Sequence, residues 1–200
     1  MDRKPTKGEY LDTLLRTPKT IFSTKDVVLL WGKQTAVAIR VRLNYYARIG
    51  KLIRVHRGFY AKDKNYNPFE LATRIYTPSY ISFETVLTRA GINFQSYGNI
   101  FVASYLNREI TVGEQKITFI RIKNYVLSNT TGIEHTAGYA IATRERAFLD
   151  RVYVSKDYHF DNLANLNWDK VFEILPIYHN QRLEKKVEKY FESYKNNQSV

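Results

Sequence analysis

The chain has 200 residues, 44% of them hydrophobic, and a formal net charge of +12: enough apolar material for real cores in one large domain or two small ones. Cysteine is absent, which excludes disulfides and thiolate metal sites, and the longest apolar run, Val27 to Trp31, is far too short to span a bilayer. Residues 1–62 hold fourteen Lys or Arg against four acids, whereas residues 63–200 hold seventeen against fifteen, so nearly all of the excess sits in the first third.

Met1-Asp2-Arg3-Lys4-Pro5 has no apolar stretch behind it and does not read as a signal peptide. A soluble, cytoplasmic protein with no membrane partner is expected. The charge break near residue 62 predicts two domains, 1–62 and 63–200, the second with a helical tail from about 160. An excess confined to one small domain points to nucleic acid more readily than diffuse basicity does.

In chain order, Glu9 to Leu15 reads as a short helix ended by Thr17-Pro18. A second helix follows Ser23-Thr24, either of which can cap it, with Asp26 in the first turn. Gly32 supplies a tight turn. A third helix is predicted from about Gln34 to Ile49, with Ala36, Ile39, Leu43 and Tyr46 as its core stripe. Its opposite face carries Gln34, Val37, Ala38, Val41, Tyr45 and Arg48, flanked by Lys33, Asn44, Arg40 and Arg42. Such a helix fits the major groove of B-form DNA, where Arg and Gln pair bidentately with base edges; the plain alternative is a solvated face. Gly50 closes it. Leu52 to Val55 and Phe59 to Ala61 then read as two strands around His56-Arg57-Gly58, a basic wing placed to reach phosphates or a minor groove. Helix, helix, turn, basic helix and basic hairpin make a winged helix–turn–helix. Its expected DNA contacts are Lys33, Gln34, Thr35, Arg40, Arg42, Tyr45, Arg48, Arg54, His56 and Arg57.

Residues 62–67 read as a polar linker, with Asn67 capping a helix that begins at Pro68. Ser82 is the expected cap of a helix through Arg89, ended by Gly91. Period-two alternation from Asn99 to Lys123 includes a hairpin at Gly113-Glu114, and Tyr139 to Ala142 is a further strand. Thr143 caps a helix from Arg144 to Tyr153 in which Arg146 and Asp150 lie four apart on one face. That pair reads either as a structural ion pair or as part of a binding site; a surface pair would contribute about 0–1 kcal/mol. Trp168 to Leu175 is a helix ending before Pro176. Asn180 to Tyr194 carries an apolar stripe of Leu183, Val187, Tyr190, Phe191 and Tyr194, packed on its own domain or on a partner, and Asn196 to Val200 is expected to fray. The fold class is therefore α+β: a winged helix–turn–helix, then a mixed α/β domain with an antiparallel sheet and C-terminal helices.

No phosphate-binding glycine loop or nucleophile elbow occurs, and no two histidines stand at metal-ligand spacing. His135 beside Glu134 has the chemistry of a general base, but such neighbours arise by chance. No enzyme activity, cofactor or metal is expected. The remaining enzymatic alternative places Glu84, Glu145 and Asp150 as metal-binding carboxylates acting on nucleic acid.

The run Leu52-Ile53-Arg54-Val55-His56-Arg57-Gly58-Phe59-Tyr60-Ala61 resembles the wing of the AbiEi antitoxins. Pro68-Phe69-Glu70-Leu71-Ala72 is similar to their Pro-x-Glu-Leu-Ala helix, and Pro78 to Leu87 with Gly91 to their Ser/Tyr-rich step into a helix. Ala142-Thr143-Arg144-Glu145-Arg146-Ala147-Phe148-Leu149-Asp150 resembles their Thr-x-x-Arg-Ala-x-x-Asp helix. The matches run in order over residues 24 to about 155. The resemblance implies an antitoxin of a type IV toxin–antitoxin or abortive-infection pair, acting in phage defence. It implies a winged domain that represses its own promoter at inverted repeats of double-stranded DNA, with a homodimer as the form suited to such repeats. It also implies a C-terminal domain that counteracts a nucleotidyltransferase-like toxin without a stable complex, a role that would fall to Arg144, Arg146 and Asp150. The alternative is a winged-helix regulator without a toxin partner, its C-terminal domain serving ligand sensing or dimerisation.

Overall fold

The computed structural model describes residues 7–32, 34–95, 98–136 and 138–198, and the chain divides into two units, Met1–Leu71 and Ala72–Val200. The division falls beyond the charge break at 62 because the intervening segment is tied back to the first unit. Thr20 donates from its backbone N–H (3.0 Å) and its hydroxyl (2.6 Å) to Glu70 Oε2, and its Oγ1 accepts from the Asn67 N–H at 3.0 Å.

In the first unit the order is α1 (Lys7–Arg16), β1 (Ile21–Ser23), α2 (Thr24–Trp31), α3 (Ala36–Arg48), β2 (Ile53–His56) and β3 (Phe59–Ala61). Ser23 is the cap of α2: it accepts from the Asp26 N–H while the Asp26 carboxylate accepts from the Ser23 N–H at 2.8 Å, a reciprocal capping box. Thr35 caps α3 by accepting from the Ala38 N–H at 3.2 Å, so the helix starts later than Gln34. Ile39, Leu43 and Tyr46 are buried, as their spacing predicts, whereas Ala36 is exposed in the first turn. They join Tyr10, Leu14, Phe22, Val27, Trp31, Leu52 and Tyr60 in one core. The three strands form an antiparallel sheet in the order β1-β3-β2. β1 has no counterpart among the sequence expectations.

The helix α4 (Pro68–Ile75) leads into the second unit; the Asn67 side chain caps it by accepting from the Phe69 N–H at 2.9 Å. There β4 (Ser79–Ile81), α5 (Glu84–Arg89), β5 (Ile100–Ser104), β6 (Arg108–Val112), β7 (Gln115–Arg121), α6 (Asn124–Leu127), β8 (Ile133–His135), β9 (Ala140–Ala142), α7 (Arg144–Val154), α8 (Trp168–Ile174) and α9 (Gln181–Gln198) follow, with a 3-10 turn at Leu175–Tyr178. The sheet runs β6-β7-β5-β4-β9-β8 and is mixed rather than antiparallel: β5 pairs with β7, and β4 with β9, in parallel. The β6–β7 hairpin adds to the sheet through β7, its second strand, which points the same way as β5. The Ser82 hydroxyl is not a helix cap. It donates to Asp150 Oδ2 at 2.8 Å, leaving Phe83, at φ 55, in the capping position without a side-chain bond.

The C-terminal helix packs on its own unit. Phe148 of α7 meets Tyr190 of α9 at 5.7 Å between ring centres, and Trp168 of α8 meets Phe191 at 4.9 Å. Helix α9 continues through Asn196 and Asn197 to Gln198, where the sequence predicts fraying, and the last two residues lie outside the described residues. Among the described residues no helix is long and apolar enough to cross a membrane.

Candidate nucleic-acid interface

Between Asp26 and Asp63 the chain contains no acid and eight Lys or Arg. Helix α3 and the β2–β3 hairpin lie wholly in this stretch. The acids of the neighbouring segments are already engaged: Asp12 pairs with Arg16 at 2.9 Å, Asp26 with Lys19 at 3.0 Å, and Glu70 with Thr20. The surface of α3 and the hairpin is therefore cationic without internal neutralisation, which favours a polyanion.

Its side chains differ in how free they are to act. Arg40, Tyr45 and Arg48 are exposed on α3, and the Arg48 guanidinium stands 5.8 Å from the centre of the Tyr45 ring. Thr35 is exposed but engaged as the cap. Gln34 is half-buried and donates from Nε2 to the Tyr10 hydroxyl at 3.1 Å, an anchoring role that competes with reading a base. Arg42 departs most from expectation: it is not on the outer flank. Its guanidinium lies 3.9 Å from the centre of the Tyr10 ring and 5.9 Å from that of Trp31, a cation–π contact with the core aromatics. Lys33 lies outside the described residues.

Arg54 and Arg57 are exposed on the hairpin, Arg57 in the two-residue turn beside Gly58, whose φ of 81° suits glycine. His56 is half-buried, its ring tilted against Phe59 at 6.2 Å, and its Nδ1 makes no hydrogen bond among the described residues; it supports the hairpin more than it offers a contact. Asn44 matters more than its flanking position suggests, because its Oδ1 accepts from the Tyr60 hydroxyl at 2.7 Å and ties α3 to β3. A groove of about 690 Å³ runs along α3, lined by Ala38, Val41, Arg42, Asn44, Tyr45 and Arg48.

The residues singled out in α7 have a different character. Arg146 and Asp150 are completely buried, so neither can touch a partner at the surface, and the figure for surface pairs does not apply to them. Asp150 accepts from the Tyr80 (2.9 Å), Ser82 (2.8 Å) and Tyr178 (2.7 Å) hydroxyls and from Arg146 Nε at 3.3 Å. Arg146 also donates to the Thr131 and Val126 carbonyls and to the Tyr80 hydroxyl. Burial pushes the Asp150 carboxyl up, with Arg146 and the three hydroxyls acting against it. Burial, the largest single influence, likewise opposes the Arg146 charge, but Asp150, Tyr178 and Tyr80 together outweigh it and the guanidinium stays charged. Arg144 alone of the three is exposed, and it pairs with the buried Glu145 at 2.9 Å.

Nor do the three carboxylates of the enzymatic alternative converge. Glu84 meets Arg151 (3.1 Å) and the Tyr158 hydroxyl (3.0 Å), Glu145 accepts from the Asn167 N–H, and Asp150 sits in the α7 network. Among the described residues no three of His, Asp or Glu gather as a metal site. No protein-family model matches the chain, and no curated protein matches it.

Proposed function

We propose that the first unit is a winged helix–turn–helix that binds double-stranded DNA, with α3 in the major groove and the β2–β3 hairpin against the backbone. The observation that carries this reading is the acid-free stretch from Val27 to Lys62, which forms both elements and exposes Arg40, Arg48, Arg54 and Arg57 on them. Phosphate contacts position such a domain and base contacts give it sequence preference. The hairpin arginines suit the first task and the α3 face the second.

We further propose that the protein represses its own promoter and acts as the antitoxin of a type IV pair, counteracting a nucleotidyltransferase-like toxin. This part rests on the four AbiEi-like motifs and their order. Arg146 and Asp150 are buried and do not themselves meet a partner; their network joins α7, β4 and the 3-10 turn.

Titrating the full chain against duplex DNA from upstream of its own reading frame, beside an unrelated duplex, tests the DNA half. Tighter binding to the upstream duplex supports autorepression; equal binding to both supports DNA binding without it, and no binding to either overturns the reading. Co-expression with the product of a neighbouring nucleotidyltransferase-like gene tests the other half: restored growth supports an antitoxin, and unrelieved arrest overturns it.

A further inference from the structure

Three apolar side chains stand exposed in one row on the acid-free helix: Val37 (66% exposed), Val41 (64%) and Tyr45 (45%). Residues four apart share one helix face, so the row runs along α3 with Arg40 and Arg48 beside it. With Gln34 held by Tyr10 and Arg42 turned onto Tyr10 and Trp31, two of the hydrogen-bonding side chains expected on or beside this face are engaged elsewhere, and Val37 and Val41 are left at its centre.

Valine can neither donate nor accept, so a base edge bearing only polar groups would lose its hydrogen bonds to water against it without replacement. The major groove has one well-defined apolar group, the 5-methyl of thymine. Resting on the DNA-binding reading above, we infer that the Val37–Val41–Tyr45 row recognises thymine methyl groups, and that the preferred duplex carries thymines facing α3. Charge favours this occupant over a second copy of the chain: a two-fold contact through α3 would bring the Arg40 and Arg48 pairs of two cationic faces together, whereas the same arginines suit the phosphates flanking a groove. Spacing adds a constraint. Four residues of helix rise about 6 Å, close to two base-pair steps of about 3.4 Å each, so Val37 and Val41 suit methyls about two steps apart.

The test uses wild-type protein and the tightest duplex selected from a random-sequence pool, with each thymidine replaced in turn by deoxyuridine. The replacement removes one methyl and leaves every hydrogen-bonding group in place. The expected result is a loss of about fourfold in affinity at one or two positions, the equivalent of burying one methyl group. Val41→Ser should erase the loss at one of them while still binding. Uniform tolerance of deoxyuridine, with selective binding otherwise intact, overturns the inference and leaves the DNA-binding reading standing. Binding that selects no duplex from the pool overturns the inference alone, and no binding to any duplex overturns both. Self-association of the free protein that Val41→Ser abolishes also overturns the inference, by assigning the row to contacts between copies.

Discussion

The Arg42 guanidinium lies 3.9 Å from the centre of the Tyr10 ring, and its Nη1 makes no hydrogen bond among the described residues. This cation of α3 thus joins α3 to α1. Arg42→Met keeps the stem and removes the charge. We expect it to lower the stability of the first unit by about 1 kcal/mol, read by chemical denaturation, and to leave the order of preference among duplexes unchanged. A change in preferred sequence would show that Arg42 reads bases.

Arg57 stands exposed in the β2–β3 turn. Arg57→Ala should weaken binding to all duplexes alike and reduce the salt slope by about 0.9. Arg40→Ala, on the exposed face of α3, should instead alter the ranking of duplexes, at a cost of about 1–3 kcal/mol for the affected position. Anisotropy titrations on a panel of duplexes distinguish these two outcomes.

The core stripe of α3 is legible in the sequence, because Ile39, Leu43 and Tyr46 fall at helical spacing and are buried. So is the cap at Thr143, whose side chain accepts from the third residue on; at α2 the sequence leaves Ser23 and Thr24 open, and Ser23 is the cap. The inward turn of Arg42 is not legible: its helical position is the same whether or not Tyr10 waits across the core. Nor is the burial of Arg146 and Asp150. Their four-residue spacing suits a surface pair equally well, and the hydroxyls of Tyr80, Ser82 and Tyr178 that enclose Asp150 come from distant parts of the chain.

Removing one partner of that network strands the other charge in the core. Arg146→Met should cost about 3–5 kcal/mol, whereas Arg144→Ala, which removes an exposed cation from a buried Glu145 that the Asn167 N–H still bonds, should cost less. Thermal unfolding of the two variants compares them directly.

Burial first, and the Asp150 carboxylate second, hold the Tyr80 and Tyr178 hydroxyls well above the ordinary tyrosine value. Above about pH 10 the unfolded phenols release protons that the folded ones keep. The folded state then binds more protons, so stability is full below about pH 10 and falls as pH rises, by about 1.4 kcal/mol per pH unit for each such group. Urea midpoints from about pH 9 to about pH 11 should decline, and Tyr178→Phe should show a shallower decline. A flat profile would place the hydroxyls in contact with solvent.

Gly132 closes on the same helix at φ 72°, where an added Cβ would stand 3.0 Å from Arg146 Cβ and 2.9 Å from Ile174 Cδ1. Gly132→Ala should therefore destabilise the second unit by about 1–3 kcal/mol, read as a lower urea midpoint.

The salt dependence of affinity for the selected duplex tests most directly whether α3 and the hairpin form the surface that meets phosphates and bases. Wild-type protein should show a steep linear fall of log affinity with log salt. The triple variant Arg48→Ala, Arg54→Ala, Arg57→Ala should show a slope shallower by about 0.9 for each phosphate it no longer neutralises. A wild-type slope that the triple variant leaves unchanged would contradict the account, because the cations that bind DNA would then lie elsewhere on the chain.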